Sequence, residues 1–132
     1  MNENINVLLV DDVIAVRESL IAYLEDFSFV VFGAGSLAEA LTVLEEHSIH
    51  IAVLDLRLPD GNGESLARTI LQRWPTTSCV FYTGSPDHQI PADLQEHPRI
   101  HPTALMKPIM DMDRFLELIR KLATLAEVSD HV

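Results

Sequence analysis

Apolar residues along this chain fall into two alternating kinds of segment. Ile5 to Val10, Phe29 to Phe32, Ile49 to Leu54, Cys79 to Tyr82 and Ala104 to Met106 are short, mostly continuous runs rich in β-branched or aromatic side chains. Runs of that kind suit strands covered on both faces. Between them, apolar positions recur at helical spacing. Val13, Val16, Leu20, Leu24 and Phe27 make one stripe, and Leu37, Ala40, Leu41 and Leu44 a second, opened by a capping box of Ser36 and Glu39. Leu66, Ile70, Leu71 and Trp74 make a third, stopped by Pro75; Phe115, Leu118, Ile119, Leu122 and Leu125 make the last, with Asp111 as its N-cap. Strands alternating with helices predict an α/β architecture: a five-stranded parallel sheet with right-handed crossovers and helices on both faces.

One stretch breaks this rhythm. Residues 85–102 should hold the fourth helix, yet they include Pro86, Pro91, Pro98 and Pro102. Proline chemistry rules out a long helix there and leaves a short or irregular one, opened by Pro91 and running to about Glu96. No repeat, low-complexity tract or linker divides the 132 residues. One domain over residues 1–126 is expected, with a short polar tail at 127–132 that frays.

Composition narrows the partners. At 48% hydrophobic residues the chain can fill one core. Its net charge of −11, from 20 acidic and 9 basic side chains, argues against direct binding to nucleic acid or to anionic membranes. The single cysteine, Cys79, sits in an apolar run and reads as a small buried hydrophobe; with no internal disulfide possible, a reducing compartment is expected. Met1-Asn2-Glu3-Asn4 lacks the basic and apolar regions of a signal peptide, and no stretch approaches a membrane span. A cytoplasmic protein is expected.

Open parallel sheets bind ligands at the carboxyl ends of their strands. Here the first strand ends in Asp11 and Asp12, the third in Asp55, the fourth in Thr83 and the fifth in Lys107. Singly, each has an ordinary explanation: Asp12 as a helix cap, Thr83 as a turn residue, Lys107 as a solvated charge. Together they bring three carboxylates, a hydroxyl and an ammonium to one edge. Carboxylates a few Å apart repel unless one protonates or a cation intervenes, and oxygen-only ligands with room for water suit Mg²⁺. Beside such a cation Asp55 can remain ionised as a nucleophile toward phosphorus. Lys107 can neutralise an incoming phosphoryl group, and Thr83 can donate a hydrogen bond to it.

Leu8-Leu9-Val10-Asp11-Asp12, with Arg17 five residues on, resembles the opening motif of bacterial two-component response regulator receiver domains. Val53-Leu54-Asp55-Leu56-Arg57-Leu58-Pro59-Asp60-Gly61-Asn62-Gly63 is similar to the family's phosphorylation-site strand and loop. Phe81-Tyr82-Thr83-Gly84 and Met106-Lys107-Pro108 resemble its last two strand ends, so the match runs from about Ile5 to Leu122. The resemblance implies a flavodoxin-like doubly wound sheet of order 2-1-3-4-5, an order that the apolar pattern alone does not supply. It also implies that Asp55 is the phosphoacceptor, that Asp12, Asp55 and the Arg57 carbonyl bind Mg²⁺ directly, and that Asp11 binds it through water. Thr83 would be the switch hydroxyl, Lys107 the bridge to the phosphoryl group, and the Lys107-Pro108 peptide cis. A sensor histidine kinase or phosphotransfer protein would be the donor, with an unnamed downstream effector and a possible homodimer.

The chain departs from the family pattern in places. Ala104 stands where an aromatic or histidine usually moves inward with the threonine, so that half of the relay is missing unless a neighbour such as Tyr82 takes the space. Glu96-His97-Pro98-Arg99-Ile100-His101-Pro102 replaces the end of a full fourth helix, which predicts a readout that differs from the usual dimer face. Arg57 and Ser85 occupy positions that tune phosphoryl lifetime in relatives; Arg57 is equally well explained as a solvent-facing side chain. His47, His50, His88, His97, His101 and His131 are expected at the surface, with His97 and His101 no more than a weak metal-site candidate. Trp74 is expected to pack at the end of its helix away from the acids.

These residues are compatible with three function classes. The first is a phosphorylation-driven signalling domain, not an enzyme in the turnover sense, that transfers a phosphoryl group to itself and loses it by hydrolysis. The second is an interaction module that works without phosphorylation. The third is an aspartyl-phosphate phosphatase, disfavoured because such enzymes need a second Asp where Arg57 stands.

Overall fold

The computed structural model describes residues 5–130, with side chains through residue 124. Met1-Asn2-Glu3-Asn4, His131 and the side chain of Leu125 lie outside the described residues. The elements alternate as β1 (Asn6–Val10), α1 (Ile14–Glu25), β2 (Val30–Ala34), α2 (Leu37–Glu46) and β3 (Ile51–Asp55), followed by a small hairpin, β4 (Arg57–Leu58) and β5 (Gly61–Asn62). Then come α3 (Gly63–Arg73), β6 (Ser78–Thr83), α4 (Ala92–Gln95), β7 (Leu105–Met106) and α5 (Met112–Asp130). The five-stranded sheet is parallel, in the order β2-β1-β3-β6-β7. With the hairpin set aside this is the expected 2-1-3-4-5, the flavodoxin-like doubly wound fold.

The continuous apolar runs resolve into two faces. Leu8, Val10, Ala52, Leu54, Cys79 and Phe81 point to one side, where α2, α3 and α4 cover them with Ala40, Leu44, Leu66, Ile70 and Leu94. Their immediate neighbours Val7, Leu9, Ile51, Val53, Val80 and Tyr82 point to the other, under Leu20 and Leu24 of α1 and Phe115, Ile119 and Leu122 of α5. Period-two alternation thus persists, but both faces are apolar because both are covered. Cys79 is fully buried and burial pushes its thiol up to about 12, which makes it an inert packing group.

The first stripe is only half used. Leu20 and Leu24 are buried, whereas Val13, which precedes the helix, and Val16 are 49% and 38% exposed. Their turn stands at the sheet's carboxyl edge, beyond the end of β1, and finds no strand beneath it. Phe27, 40% exposed, instead packs against Tyr23 and lies under the Arg120 guanidinium. Ser36 caps α2 by accepting from the Glu39 N–H at 3.1 Å, and Glu39 Oε1 reaches back to the Gly35 N–H at 2.7 Å, one residue before the cap itself. Asp111 caps α5 through the Arg114 N–H at 3.1 Å. That helix continues through Asp130.

The fourth helix is a single turn opened by Pro91, as the prolines require. The segment after it is held by contacts that the apolar pattern does not announce. Arg99 donates to the carbonyls of Leu71, Trp74 and Thr77 at 2.6–2.9 Å, capping the carboxyl end of α3. Ile100 forms a parallel bridge to Cys79, and pairing resumes at Leu105 opposite Tyr82. The residues between them bulge out, which the edge of a sheet tolerates and its interior does not. Trp74 ends α3 half-buried, with the Arg73 guanidinium 4.5 Å from its ring centroid.

Three residues anchor the loop after Asp55. Asn62 caps α3 through the Ser65 N–H at 2.8 Å, and Gly63 brings that helix against the backbone of β3. A Cβ on Gly63 would stand 2.4 Å from the Asp55 carbonyl oxygen, a backbone atom with no room to yield. Asp60, at the hairpin turn, accepts from the N–H groups of Leu37 and Ala38 at 2.8 and 3.0 Å and so caps α2 from a distant part of the chain. Those bonds hold its carboxyl below the ordinary value of 3.8.

Gly63→Ala should therefore lower stability by about 2–3 kcal/mol in urea unfolding. A loss below a few tenths would show that α3 can back away freely. For Asp60 the sign follows from its depressed pKa: its contribution is present above the ordinary carboxylate value and disappears as pH falls through the lower folded one. Asp60→Ala should lower Tm at pH 7, and the gap to the unsubstituted protein should close at strongly acidic pH.

Candidate active site at the carboxyl edge of the sheet

Each strand end delivers one part of the site. β1 runs straight into Asp11 and Asp12, and the Asp11 N–H pairs with the Ala34 carbonyl at 3.0 Å, so the sheet holds the first aspartate in register. β3 ends in Asp55, β6 in Thr83, and the Lys107 N–H donates to the Thr83 carbonyl at 2.8 Å directly after β7. Five residues from four distant strand ends are brought together because neighbouring parallel strands end on one edge.

The charges are packed tightly. Asp11 is fully buried, Asp55 is 5% exposed, and Asp12 faces solvent. Asp11, Asp12 and Asp55 each offer an oxygen within 4.8 Å of the others, the one such cluster of potential metal ligands among the described residues. Lys107 Nζ lies 2.8 Å from Asp55 Oδ2 and 3.3 Å from Asp11 Oδ2. Burial raises the Asp55 carboxyl above its ordinary value, while the hydrogen bond and charge of Lys107 and the Arg57 N–H oppose that rise. Desolvation wins because one ammonium serves two buried carboxylates.

Around the acids opens a cavity of about 470 Å³, lined by Asp12, Asp55, Arg57, Thr83, Ser85 and Lys107 among others. Thr83 is buried, and its Oγ1 accepts from the Ser85 N–H at 3.0 Å, which leaves the hydroxyl proton available to a ligand. The Asp55 Oδ1 accepts from the Arg57 N–H at 3.3 Å, while the Arg57 side chain is exposed at the rim. The Lys107-Pro108 peptide is cis, as expected. The donor set is oxygen only and partly open to solvent, which fits a hard divalent cation such as Mg²⁺.

Two expectations about neighbours are settled by the faces of the sheet. Ala104 packs on the side of α2, α3 and α4, whereas Tyr82 packs on the side of α1 and α5. Tyr82 therefore does not fill the space of the missing aromatic. It reaches the site in a way that the apolar pattern of β6 does not indicate: its hydroxyl donates to Asp11 Oδ2, and Lys107 Nζ sits 4.6 Å from its ring centroid. Burial and the neighbouring Asp11 push the Tyr82 phenol well above its ordinary range. Three of the described histidines have partners other than Asp11, Asp12 and Asp55: His88 pairs with Glu64, His47 stacks on Phe32, and His97 Nδ1 accepts from the Arg99 N–H. His97 and His101 form no metal cluster among the described residues.

The family model described as response regulator receiver domain matches residues 7–120. The chain belongs to this family. The receiver domain is 44% identical over 82 residues to the DNA-binding transcriptional activator DevR/DosR of Mycobacterium tuberculosis, a match covering 61% of this chain and 38% of that protein. It thus spans well under half the length of that curated relative. Its fold superposes on the signal receiver domain of an HD domain-containing protein from Pseudomonas fluorescens with a TM-score of 0.88 and 23% identity, covering 99% of this chain and 95% of that one. A second similar structure is the response regulator TrrA of Thermotoga maritima, solved in complex with Mg(2+)-BeF, with a TM-score of 0.77 and 20% identity over 89% of this receiver domain and 98% of that chain. No helix among the described residues is long and apolar enough to cross a membrane.

Because desolvation of Asp55 outweighs its pairing with Lys107, removing its charge should relieve the fold. In the absence of divalent cations, Asp55→Asn should raise Tm by roughly 3 °C. A fall would mean that the ion pair with Lys107 dominates.

Proposed function

We propose that this receiver domain accepts a phosphoryl group on Asp55 from a histidine kinase or phosphotransfer protein and changes conformation in response. The observation that carries this reading is the convergence of Asp11, Asp12, Asp55, Thr83 and Lys107 around one open cavity. An Asp55 oxygen attacks phosphorus as the nitrogen–phosphorus bond of the donor breaks, and the imidazole leaves with its electron pair. Asp12, Asp55 and the Arg57 carbonyl are the protein groups that would hold Mg²⁺, with Asp11 reaching it through water. When bound, the ion supplies the positive charge that lets Asp55 react in its ionised form. Lys107, already 2.8 Å from Asp55, neutralises the transferred group, and the Thr83 hydroxyl turns its free proton toward it.

The new charge on Asp55 biases a two-state equilibrium through Lys107 and Thr83, whose backbones are hydrogen-bonded to each other. Ala104 has no rotamer with which to carry that change further, and α4 is a single turn. The response is therefore read from the loops around Thr83 and Lys107 instead of through an aromatic at residue 104, and not through the usual dimer face. The apolar side chains of Ile14 and Met110, 59% and 86% exposed on the segments after Asp12 and Lys107, provide surface for the phosphodonor protein beside the cavity. The domain is not an enzyme with turnover, and it works in the cytoplasm.

Incubation with Mg²⁺ and a small acyl-phosphate or phosphoramidate donor should add one phosphate to the intact mass, and Asp55→Asn should abolish the adduct. A folded protein that gains no phosphate with Mg²⁺ present would favour the phosphorylation-independent interaction module instead.

A further inference from the structure

Tyr82 touches the acid cluster through its hydroxyl, a contact that its position inside an apolar strand does not predict. Its side chain is buried, with the ring against the α1 and α5 side of the core and the hydroxyl emerging among the acids. Asp11, the most buried of the three carboxylates, has donors on both oxygens. Oδ1 accepts from the Val13 N–H at 2.9 Å, while Oδ2 accepts from the Tyr82 hydroxyl and lies 3.3 Å from Lys107 Nζ. Asp12, by contrast, opens to solvent.

We propose that Tyr82 is a positioning residue of the metal site: by donating to Asp11 Oδ2, its hydroxyl holds that carboxylate back and sets how tightly the acid trio binds Mg²⁺. The inference rests on the metal site of the proposed function and adds to it a residue that tunes affinity. The physical basis is competition for one oxygen. A carboxylate oxygen that already accepts a hydrogen bond offers less to a cation, and a charge-assisted bond is among the stronger ones to forgo. The same bond lowers the repulsion between Asp11 and Asp55 in the metal-free protein, which reduces what a cation gains by binding. It also leaves Lys107 closer to Asp55 than to Asp11, with the ammonium available at the phosphoacceptor.

Ring and hydroxyl can be separated experimentally, since phenylalanine keeps the buried volume and the surface beneath Lys107. Calorimetric titration of Mg²⁺ into the full, unphosphorylated chain should show Tyr82→Phe binding about tenfold more tightly than the unsubstituted protein. Tyr23→Phe, which loses a hydroxyl donating to the Met112 carbonyl outside the acid trio, should bind as the unsubstituted protein does. In the Tyr23→Phe chain Tyr82 is the one remaining tyrosine, and its ultraviolet difference band should shift on addition of Mg²⁺. Equal or weaker affinity in folded Tyr82→Phe, or an unmoved tyrosine band, would overturn the proposal and leave the metal site standing. No Mg²⁺ binding by the unsubstituted chain would remove the site itself, and this proposal with it.

Discussion

A single ammonium between two buried carboxylates is the interaction on which the rest of this molecule is arranged. Lys107 lies within 3.3 Å of both Asp11 and Asp55, and neither carboxylate has more than a sliver of solvent. Buried ion pairs seldom offset their own desolvation, and here two negative groups share one positive one. The excess charge cannot be relieved by moving the acids, because each is fixed at the end of a strand in the centre of the sheet. It makes the pocket a place where added positive charge would relieve repulsion between the carboxylates.

That arrangement sets demands on the weakest part of the fold. Lys107 follows an edge strand of only two residues, preceded by a segment with four prolines. Regular pairing cannot hold such a segment in place. Arg99 does so by capping α3, the bridge from Ile100 to Cys79 starts the pairing, and the Lys107 N–H bonded to Thr83 finishes the strand at the right height. Gly63 does the corresponding service for Asp55 by letting the start of α3 close onto its carbonyl. The irregular backbone is thus stabilised both by contacts away from the acids, at Arg99 and Ile100, and by contacts at the site itself.

The two faces of the sheet separate Ala104 from Tyr82. Ala104 lies on the side of α3 and α4, where a side chain able to swing is missing. Tyr82 lies on the opposite side, between the acids and the packing of α1 and α5. An aromatic group is therefore in contact with the chemical site, but it faces different helices from those that an aromatic at residue 104 would reach.

Much of this was legible without coordinates. Runs of β-branched residues separated by helical stripes sufficed for the α/β class, because burial on both faces of a parallel sheet demands continuous apolar strands. The aspartates, Thr83 and Lys107 stood out because each directly follows such a run, and strand ends share an edge. The proline-rich stretch correctly limited α4, since the missing N–H of proline is a local property. The features left open in the sequence depend on direction and distance. Whether Val13 and Val16 are covered turns on how far β1 extends beneath α1. Asp60 capping α2 and Arg99 capping α3 join residues more than twenty apart, and no local pattern encodes such pairs. Tyr82 reads as one more apolar strand residue until the pleat shows which side it takes. The chain itself determined which residues lie in the core and at the strand ends, because burial and periodicity are local. Only the tertiary structure decided which hydroxyl touches which carboxylate, because that depends on the register and pleat of strands distant in sequence.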